Sequence, residues 1–159
     1  MSIRVGFGYD LHRLEPGESL ILGGVEIPHY NGTVAHSDGD VLIHALCDAL
    51  LGAANLRDIG FHFPDTDSKF KNRESVHFLK ETIRLIGEKG YSFGNMDATI
   101  CMEKPKLKDF IPLMQKYLAE AIEVDLDSIS IKATTGEKLG FVGEERGVAV
   151  HVVVLINLK

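Results

Sequence analysis

The chain of 159 residues carries 23 acidic and 17 basic side chains, which gives a formal net charge of −6 at pH 7. This acidic balance argues against a general nucleic-acid binder, which needs a basic face, and no apolar run is long enough to predict a membrane span. With 45% hydrophobic residues, residues 1–159 are predicted to form a single domain with a sizeable core.

The first half of the chain predicts three strands and a helix. Ile3 to Tyr9 alternates like a strand, and "LILGGVEI" indicates a hairpin that turns at Gly23-Gly24. Oxygen-bearing side chains in "HSDGD" precede a helix predicted from about Asp40 to Ala54, and we expect Ser37 and Asp38 to cap its start. Residues 57–72 form a long polar loop rich in aspartate, and a loop of that length in a compact domain is often functional.

The second half alternates helices and strands. The pattern predicts helices over 74–90 and 109–124, strands over 95–103, 128–134 and 148–158, and a loop over 135–147. The last strand is almost continuously apolar, which indicates a central place in a sheet. This order predicts an α+β fold with one mixed sheet, helices on one face and a ferredoxin-like arrangement.

Two stretches carry side chains suited to a metal. Asp10 and His12 lie two residues apart on the first strand and project to the same face. His44 stands on the next helix, four residues after Asp40 and four before Asp48. If that helix packs on the strand, Asp10, His12 and His44 form a three-ligand site, with zinc favoured and a fourth position open to substrate. We expect Asp48 or Asp40 to accept the other N–H of His44. A purely structural role for these side chains is the alternative.

Other polar segments point to phosphate. Hydroxyls and a turn suited to anionic oxygens follow the strand over 128–134, at Thr134, Thr135 and Gly136. Glu137 in the same turn would repel phosphate unless a cation such as Mg²⁺ bridges the two. Three lysines in "EKPKLK" face an anion or, alternatively, form a solvated basic turn. Cys47 and Cys101, together with an N-terminus that enters a strand directly, favour reduced thiols and the cytoplasm.

Six segments resemble those of one known family and occur in the same order: "GYDLHRL", "LILGGVEIP", "AHSDGDVLIHALCDALLGAA", "DIGFHFPDTD", "KPKL" and "KATTGEKLGF". The family is the 2-C-methyl-D-erythritol 2,4-cyclodiphosphate synthases of the non-mevalonate isoprenoid pathway, and the likeness covers essentially the whole chain. It implies a homotrimer with active sites between neighbouring subunits, without a nucleic-acid or membrane partner. It also implies a cytidine diphosphate ester of methylerythritol as substrate, whose 2-phosphate attacks the β-phosphorus and releases CMP.

The resemblance also implies roles for individual residues. Asp10, His12 and His44 match the family's ligands for one zinc per subunit. Glu137 matches its ligand for a Mg²⁺ or Mn²⁺ that accompanies the substrate. His36 and Thr135 are implied to steady the transition state. Substrate contacts are implied for Asp10, His12, His36, Ser37, Asp58, Ile59, Gly60, Phe63, Pro64, Asp65, Thr66, Asp67, Met102, Pro105, Lys106, Leu107, Lys108, Thr134, Thr135, Gly136, Glu137, Phe141 and Glu144.

One position departs from the family pattern. Many members carry an arginine in "GFxGR", near the threefold axis, which is associated with binding isoprenoid diphosphates. Here "GFVGEERG" places Glu144 at that position, with Arg146 nearby and Phe141 retained. A carboxylate repels a diphosphate, so we expect weak retention of such ligands.

Two other functions remain open from the residues alone. One is a zinc-dependent phosphodiesterase that uses water, and the other is a metal-stabilised binding domain without turnover. The three possibilities differ in their products, which are a cyclic diphosphate with CMP, a hydrolysed phosphate, or none.

Overall fold

The computed structural model describes residues 2–159. In this range the strands are β1 (Ile3–Pro16), β2 (Ile21–Leu22), β3 (Val25–Glu26), β4 (Asn31–Thr33), β5 (Tyr91–Cys101), β6 (Ile129–Thr134) and β7 (Gly147–Leu158). The α-helices are α1 (Val41–Ala53), α2 (Ile59–His62), α3 (Ser75–Glu88), α4 (Ile111–Ile122) and α5 (Gly140–Gly143). No helix within residues 2–159 is both long and apolar enough to cross a membrane.

One mixed sheet has the strand order β4-β1-β7-β5-β6. β7 pairs antiparallel with both β1 and β5, while β5 and β6 run parallel. The predicted α+β fold is confirmed, as is the central place of the last strand. The hairpin at Gly23-Gly24 is confirmed as well, and it forms a separate two-stranded sheet of β2 and β3.

The expected ferredoxin-like arrangement is wrong. A ferredoxin-like chain follows the order β-α-β-β-α-β, whereas the main sheet here is built as β1-α-β5-α-β6-β7 after its edge strand β4 is set aside. The segment between β6 and β7 contains only the four-residue helix α5. The chain therefore returns directly from β6, and β7 enters the sheet between β1 and β5.

The main sheet is covered by helices on one face, as predicted. α1 packs on β1 and β7, α3 on β5, and α4 on β6. Alternate side chains of β7 show the result, because Val152 and Val154 are buried while Val153 and Leu155 are exposed on the other face. The core therefore lies between the sheet and the three long helices.

Two glycines let α1 lie unusually close to β1. A Cβ atom at Gly8 would stand 1.9 Å from the backbone oxygen of Ala45, and one at Gly6 equally close to that of Ala49. Only glycine leaves room for such an approach of strand and helix. Since side chains alternate along a strand, Asp10 and His12 continue the face of β1 that touches the helix.

Asp40 fixes the beginning of α1. Its carboxylate is fully buried and accepts hydrogen bonds from the backbone N–H groups of Ile43, Gly23 and Gly24, at 2.7–3.0 Å. Burial raises the pKa of this carboxyl to about 6, against the opposing effect of those N–H groups. The cap of α1 is therefore Asp40 rather than Ser37 or Asp38, and the same carboxylate ties the hairpin to the helix.

We predict opposite effects for two glycine-to-alanine substitutions. Gly8→Ala should lower the free energy of unfolding by about 1–3 kcal/mol, because its methyl group meets the backbone of α1. Gly52→Ala on the exposed side of α1 should instead raise it by about 0.5–1 kcal/mol, since nothing lies within 4 Å of its added Cβ. Urea unfolding of both variants checks this, and an unchanged midpoint for Gly8→Ala would contradict the close packing.

Candidate metal centre and substrate cleft

The three predicted metal ligands converge. The Nε2 atom of His12 lies 3.2 Å from Oδ2 of Asp10, and Nδ1 of His44 lies 3.4 Å from the same oxygen. The two ring nitrogens are 3.3 Å apart. The strand predicted to end at Tyr9 continues to Pro16, so Asp10 and His12 are held by its full ladder with β7.

This triangle fits a divalent ion. In a tetrahedral site with bonds of about 2.0–2.1 Å, ligand atoms stand about 3.3 Å from one another. The three measured separations, 3.2, 3.3 and 3.4 Å, agree with that spacing. Two imidazoles and one carboxylate also match the donors that zinc and similar metals select. The arrangement is a three-residue group able to hold a divalent metal.

The electrostatics of the triangle favour a cation. Burial opposes ionisation of Asp10, but hydrogen bonds and charge interactions with His12 and His44 outweigh it and lower the pKa to about 2. Burial acts against protonation of His44, yet its bond to Asp10 raises the pKa of the imidazole overall. An ionised carboxylate between two imidazoles is therefore present at neutral pH.

The expected partner of His44 is wrong. Neither Asp40 nor Asp48 takes its second nitrogen, since Asp40 caps α1 and Asp48 accepts the N–H of Ile59 at 3.1 Å. Instead, Oγ of Ser75 lies 2.9 Å from Nε2 of His44. Ser75 in turn bonds to Asp38 through both its hydroxyl and its backbone N–H.

A cleft of about 870 Å³ opens over the triangle. Its walls come from β1, the 34–37 segment, α1, the 59–71 loop and the start of α3. Ten of the predicted substrate residues line it: Asp10, His12, His36, Ser37, Ile59, Gly60, Phe63, Pro64, Asp65 and Thr66. The cleft leaves the metal position accessible to a ligand, and the roles of these ten residues stay predictions.

Two predicted loop residues do not line the cleft. Asp58 stands at the beginning of α2 without a side-chain capping bond. Asp67 accepts the backbone N–H of Lys69 and pairs with its ammonium group at 3.2 Å. The carboxylate of Asp67 therefore stabilises the local loop in this conformation.

The predicted nucleotide and second-metal residues lie together but away from this cleft. None of Met102–Lys108 and Thr134–Glu137 is among its lining residues. The two segments are tied to each other, because the N–H of Gly136 donates to Glu103 at 2.9 Å and that of Met102 donates to the carbonyl of Thr134. Met102 and Leu107 are buried, so their side chains are not available to a ligand in solvent.

Glu137 lies exposed beside Thr135, whose hydroxyl donates to its carboxylate at 3.1 Å. Lys106 and Lys108 are exposed, and Pro105 is half-buried. The two segments together therefore expose one carboxylate, from Glu137, and two ammonium groups, from Lys106 and Lys108, to solvent.

Glu144, which stands where many members of the family carry an arginine, is also exposed. Glu144 pairs with Arg146 at 2.8 Å, so each neutralises the other within the chain. Phe141 is 37% exposed and lies against Gly147 at the beginning of β7. Neither Phe141 nor Glu144 lines the cleft over the metal triangle.

Sequence reasoning missed several residues of the site. Lys71 lines the cleft, together with Tyr9, Phe70 and Phe78, and Ser75 bonds to the metal ligand His44. Lys71 is the one lysine or arginine among those lining residues of the described chain. Membership of the long polar loop was a signal for Lys71 and Phe70, whereas no pattern in the sequence links Ser75 to His44.

The fold and the site define an α+β protein in which a three-residue group able to hold a divalent metal opens into a cleft. The sequence matches the YgbB family over residues 3–157. The 2-C-methyl-D-erythritol 2,4-cyclodiphosphate synthase of Bacteroides fragilis is 59% identical over 157 residues, which are 99% of each chain. The chain belongs to the YgbB family, and the resemblance to these synthases is confirmed.

Solved structures with similar folds belong to proteins of the same kind. The bifunctional IspDF of Campylobacter jejuni is 45% identical and superposes over 99% of this chain with a TM-score of 0.95, although the match spans only 43% of that longer chain. The CDP complex of IspF from Plasmodium falciparum is 34% identical, with a TM-score of 0.88 over 99% of this chain and 97% of its own.

We predict one divalent metal ion per chain, held by the triangle. His44→Ala should remove it, because two remaining ligands bind a divalent ion far more weakly than three. Elemental analysis of the purified protein measures the metal content, with His77→Ala as the control, since His77 is an exposed histidine on α3. Equal metal in wild type and His44→Ala would contradict the assignment. The large core should keep the variant folded.

Proposed function

We propose that the protein converts 4-diphosphocytidyl-2-C-methyl-D-erythritol 2-phosphate to 2-C-methyl-D-erythritol 2,4-cyclodiphosphate and CMP, as a cyclising phosphorus–oxygen lyase of the non-mevalonate isoprenoid pathway. The metal triangle of Asp10, His12 and His44 at the floor of an open cleft is the observation that carries this proposal. Its relatives named as synthases, matched along the full chain, support the same reaction. The free thiols of Cys47 and Cys101 support the cytoplasm as its compartment.

In the reaction, an oxygen of the 2-phosphate forms a bond to the β-phosphorus. The bond from that phosphorus to the oxygen it shares with the α-phosphate breaks, and CMP leaves with that oxygen. Phosphoryl transfer of this kind depends on positioning and charge neutralisation rather than on a protein nucleophile. When bound, a zinc ion at the triangle supplies Lewis-acid polarisation of the β-phosphate.

The residues of the cleft would position the substrate. The ring of His36 and the hydroxyl of Ser37 stand at its wall, where they can donate to phosphate oxygens. Lys71 brings a positive charge to the same wall and would offset the charge of the 2-phosphate. Holding nucleophile and electrophile in one cleft favours ring closure, because the reaction then needs no further loss of translational freedom.

The second half of the site would come from the turn of Thr135 and Glu137 with the Met102–Lys108 segment. Glu137 would hold a Mg²⁺ or Mn²⁺, which would neutralise charge on the diphosphate, and Thr135 would steady the transition state beside it. The Met102–Lys108 segment would hold cytidine, as the family resemblance implies. That a relative from Plasmodium falciparum forms a CDP complex supports a cytidine nucleotide as the ligand.

The sheet supports a homotrimer. Its helix-free face exposes Ile3, Val5 and Phe7 on β1 with Val153 and Leu155 on β7, and Val5 and Phe7 are 66% and 60% exposed. An apolar patch of this kind usually marks a protein interface. A cyclic trimer would cover it, and would let the metal cleft of one chain meet the nucleotide segment of the next. The single domain over residues 1–159 stays a prediction.

Product analysis tests the reaction. Incubated with 4-diphosphocytidyl-2-C-methyl-D-erythritol 2-phosphate, the protein should release CMP and the cyclic diphosphate in equal amounts. Phosphorus NMR distinguishes the cyclic product from open phosphates. Formation of CMP and an open sugar phosphate or diphosphate, with solvent oxygen-18 on the phosphorus that water attacked, would instead identify a phosphodiesterase. Unchanged substrate with bound metal would identify a binding domain.

Glu137→Gln should abolish most turnover while the zinc content stays normal. The change removes the charge that would hold the second cation but leaves the triangle untouched. Turnover measured against Mg²⁺ concentration checks this, with Glu26→Gln on the exposed hairpin strand β3 as the control. An unchanged Mg²⁺ dependence in Glu137→Gln would exclude the assignment.

Mixed trimers test whether sites are shared. His44→Ala lacks the metal, and a replacement of the Met102–Lys108 segment lacks the nucleotide pocket, so each variant alone should be inactive. When the two are unfolded and refolded together in equal parts, roughly a quarter of the sites should be whole if each joins two chains in a cyclic arrangement. Mixed trimers that form but release CMP only at background rate would show that each site belongs to one chain.

A further inference from the structure

We propose that Ser75 and Asp38 are positioning residues, which select the tautomer of His44 that binds metal and hold its ring towards Asp10 and His12. This proposal rests on the zinc assignment made under the proposed function. It goes beyond the three ligands, because it assigns a role to two side chains that touch neither the metal position nor the substrate.

The three groups form a continuous chain of hydrogen bonds. The hydroxyl of Ser75 lies 2.9 Å from Nε2 of His44 and also contacts Oδ1 of Asp38. Oδ2 of Asp38 accepts the backbone N–H of Ser75 at 2.8 Å. Ser75 has no exposed surface, and the side chain of His44 is 14% exposed. Competing water is therefore largely excluded from the link between them.

The direction of the protons follows from the donors available. An ionised aspartate can only accept hydrogen bonds, and a serine hydroxyl has one proton to donate. The proton of Ser75 is therefore committed to Asp38, which leaves an oxygen lone pair facing His44. Nε2 of His44 must then carry the proton that it donates to Ser75. In the neutral form of the ring, the form that binds a metal, Nδ1 then keeps the free lone pair, and this is the atom 3.4 Å from Oδ2 of Asp10 and 3.3 Å from His12.

The carboxylate of Asp38 also fixes the beginning of α3. Glu74, which precedes the helix, makes no side-chain capping bond. Asp38 instead reaches the N–H of Ser75 from 37 residues away in sequence, and so satisfies one of the helix's unpaired first N–H groups. The position of α3 is thereby coupled to the orientation of the metal ligand on α1.

Ser37 cannot replace this link. Its hydroxyl lies 3.4 Å from Nε2 of His44 and also 3.3 Å from the N–H of Gly39, from which it accepts. A separation of 3.4 Å lies beyond the usual range for a hydrogen bond. Ser75 therefore provides the main acceptor for His44.

Zinc affinity measured by competition with a chelator tests the proposal without requiring turnover. Ser75→Ala should bind zinc about 10–100-fold more weakly than wild type, the loss typical of removing a partner of a metal-binding histidine. Thr82→Val is the matched control, because Thr82 is equally buried on α3 but makes no hydrogen bond to His44 or Asp38. Unchanged zinc affinity in Ser75→Ala, or an equal loss in Thr82→Val, would overturn the proposal.

A second variant guards against a general loss of structure. Asp38→Asn keeps the size of the side chain but allows an amide to donate to Ser75, so it should also weaken zinc binding. If both residues act through His44, the double variant should bind zinc no more weakly than Ser75→Ala, because the effects are not additive. If the losses of zinc affinity in the two single variants were fully additive in the double variant, the proposed hydrogen-bond chain from Asp38 through Ser75 to His44 would be contradicted.

NMR provides a signature that a purely structural role would not change. In the zinc-bound wild type, the Nε2 proton of His44 should exchange slowly with water and should exchange rapidly in Ser75→Ala. Rapid exchange in the wild type would overturn the proposal. If zinc binding depends on Ser75 and Asp38 as expected but the wild type forms no cyclic product, the proposed function would be refuted and the positioning role of these two residues would stand.

Discussion

The close packing of α1 on β1 is the constraint on which the site depends. Gly6 and Gly8 place the strand against the backbone oxygens of Ala49 and Ala45, and any side chain would push the two elements apart. The alternation of β1 then carries the same face forward to Asp10 and His12. Because helix and strand meet so closely there, a histidine at the beginning of α1 reaches both side chains, and three ligand atoms come within 3.4 Å of one another.

The sheet also separates the two halves of the proposed site. β1 carries the metal ligands, whereas the phosphate turn and the nucleotide segment follow β6 and β5. With strands about 4.8 Å apart, β1 and β6 are separated by about 14 Å across β7 and β5. The insertion of β7 between β1 and β5 thus widens the distance within one chain. It also brings Val153 and Leu155 beside the exposed apolar side chains of β1, where a neighbouring subunit is proposed to pack.

The three aspartates nearest to His44 in sequence each bind a different structural element. Asp38, Asp40 and Asp48 lie within eleven residues of one another, yet each faces a different element. Asp40 holds the hairpin and caps α1, Asp48 accepts from Ile59 at the beginning of α2, and Asp38 reaches Ser75 on α3. These three carboxylates therefore anchor the elements around His44, which leaves Asp10 as the carboxylate of the triangle.

The sequence by itself determined the features that depend on neighbours along the chain. The spacing of Asp10 with His12, the helix that bears His44 and the turn at Gly23-Gly24 follow from local periodicity and turn chemistry, and they were predicted correctly. Tertiary structure alone decided which distant groups meet. The strand order excluded a ferredoxin-like arrangement, and the docking of α3 made Ser75 rather than Asp40 or Asp48 the partner of His44. The physical reason is that hydrogen bonds and packing between elements depend on how whole faces fit together, whereas periodicity records only which face of each element is apolar.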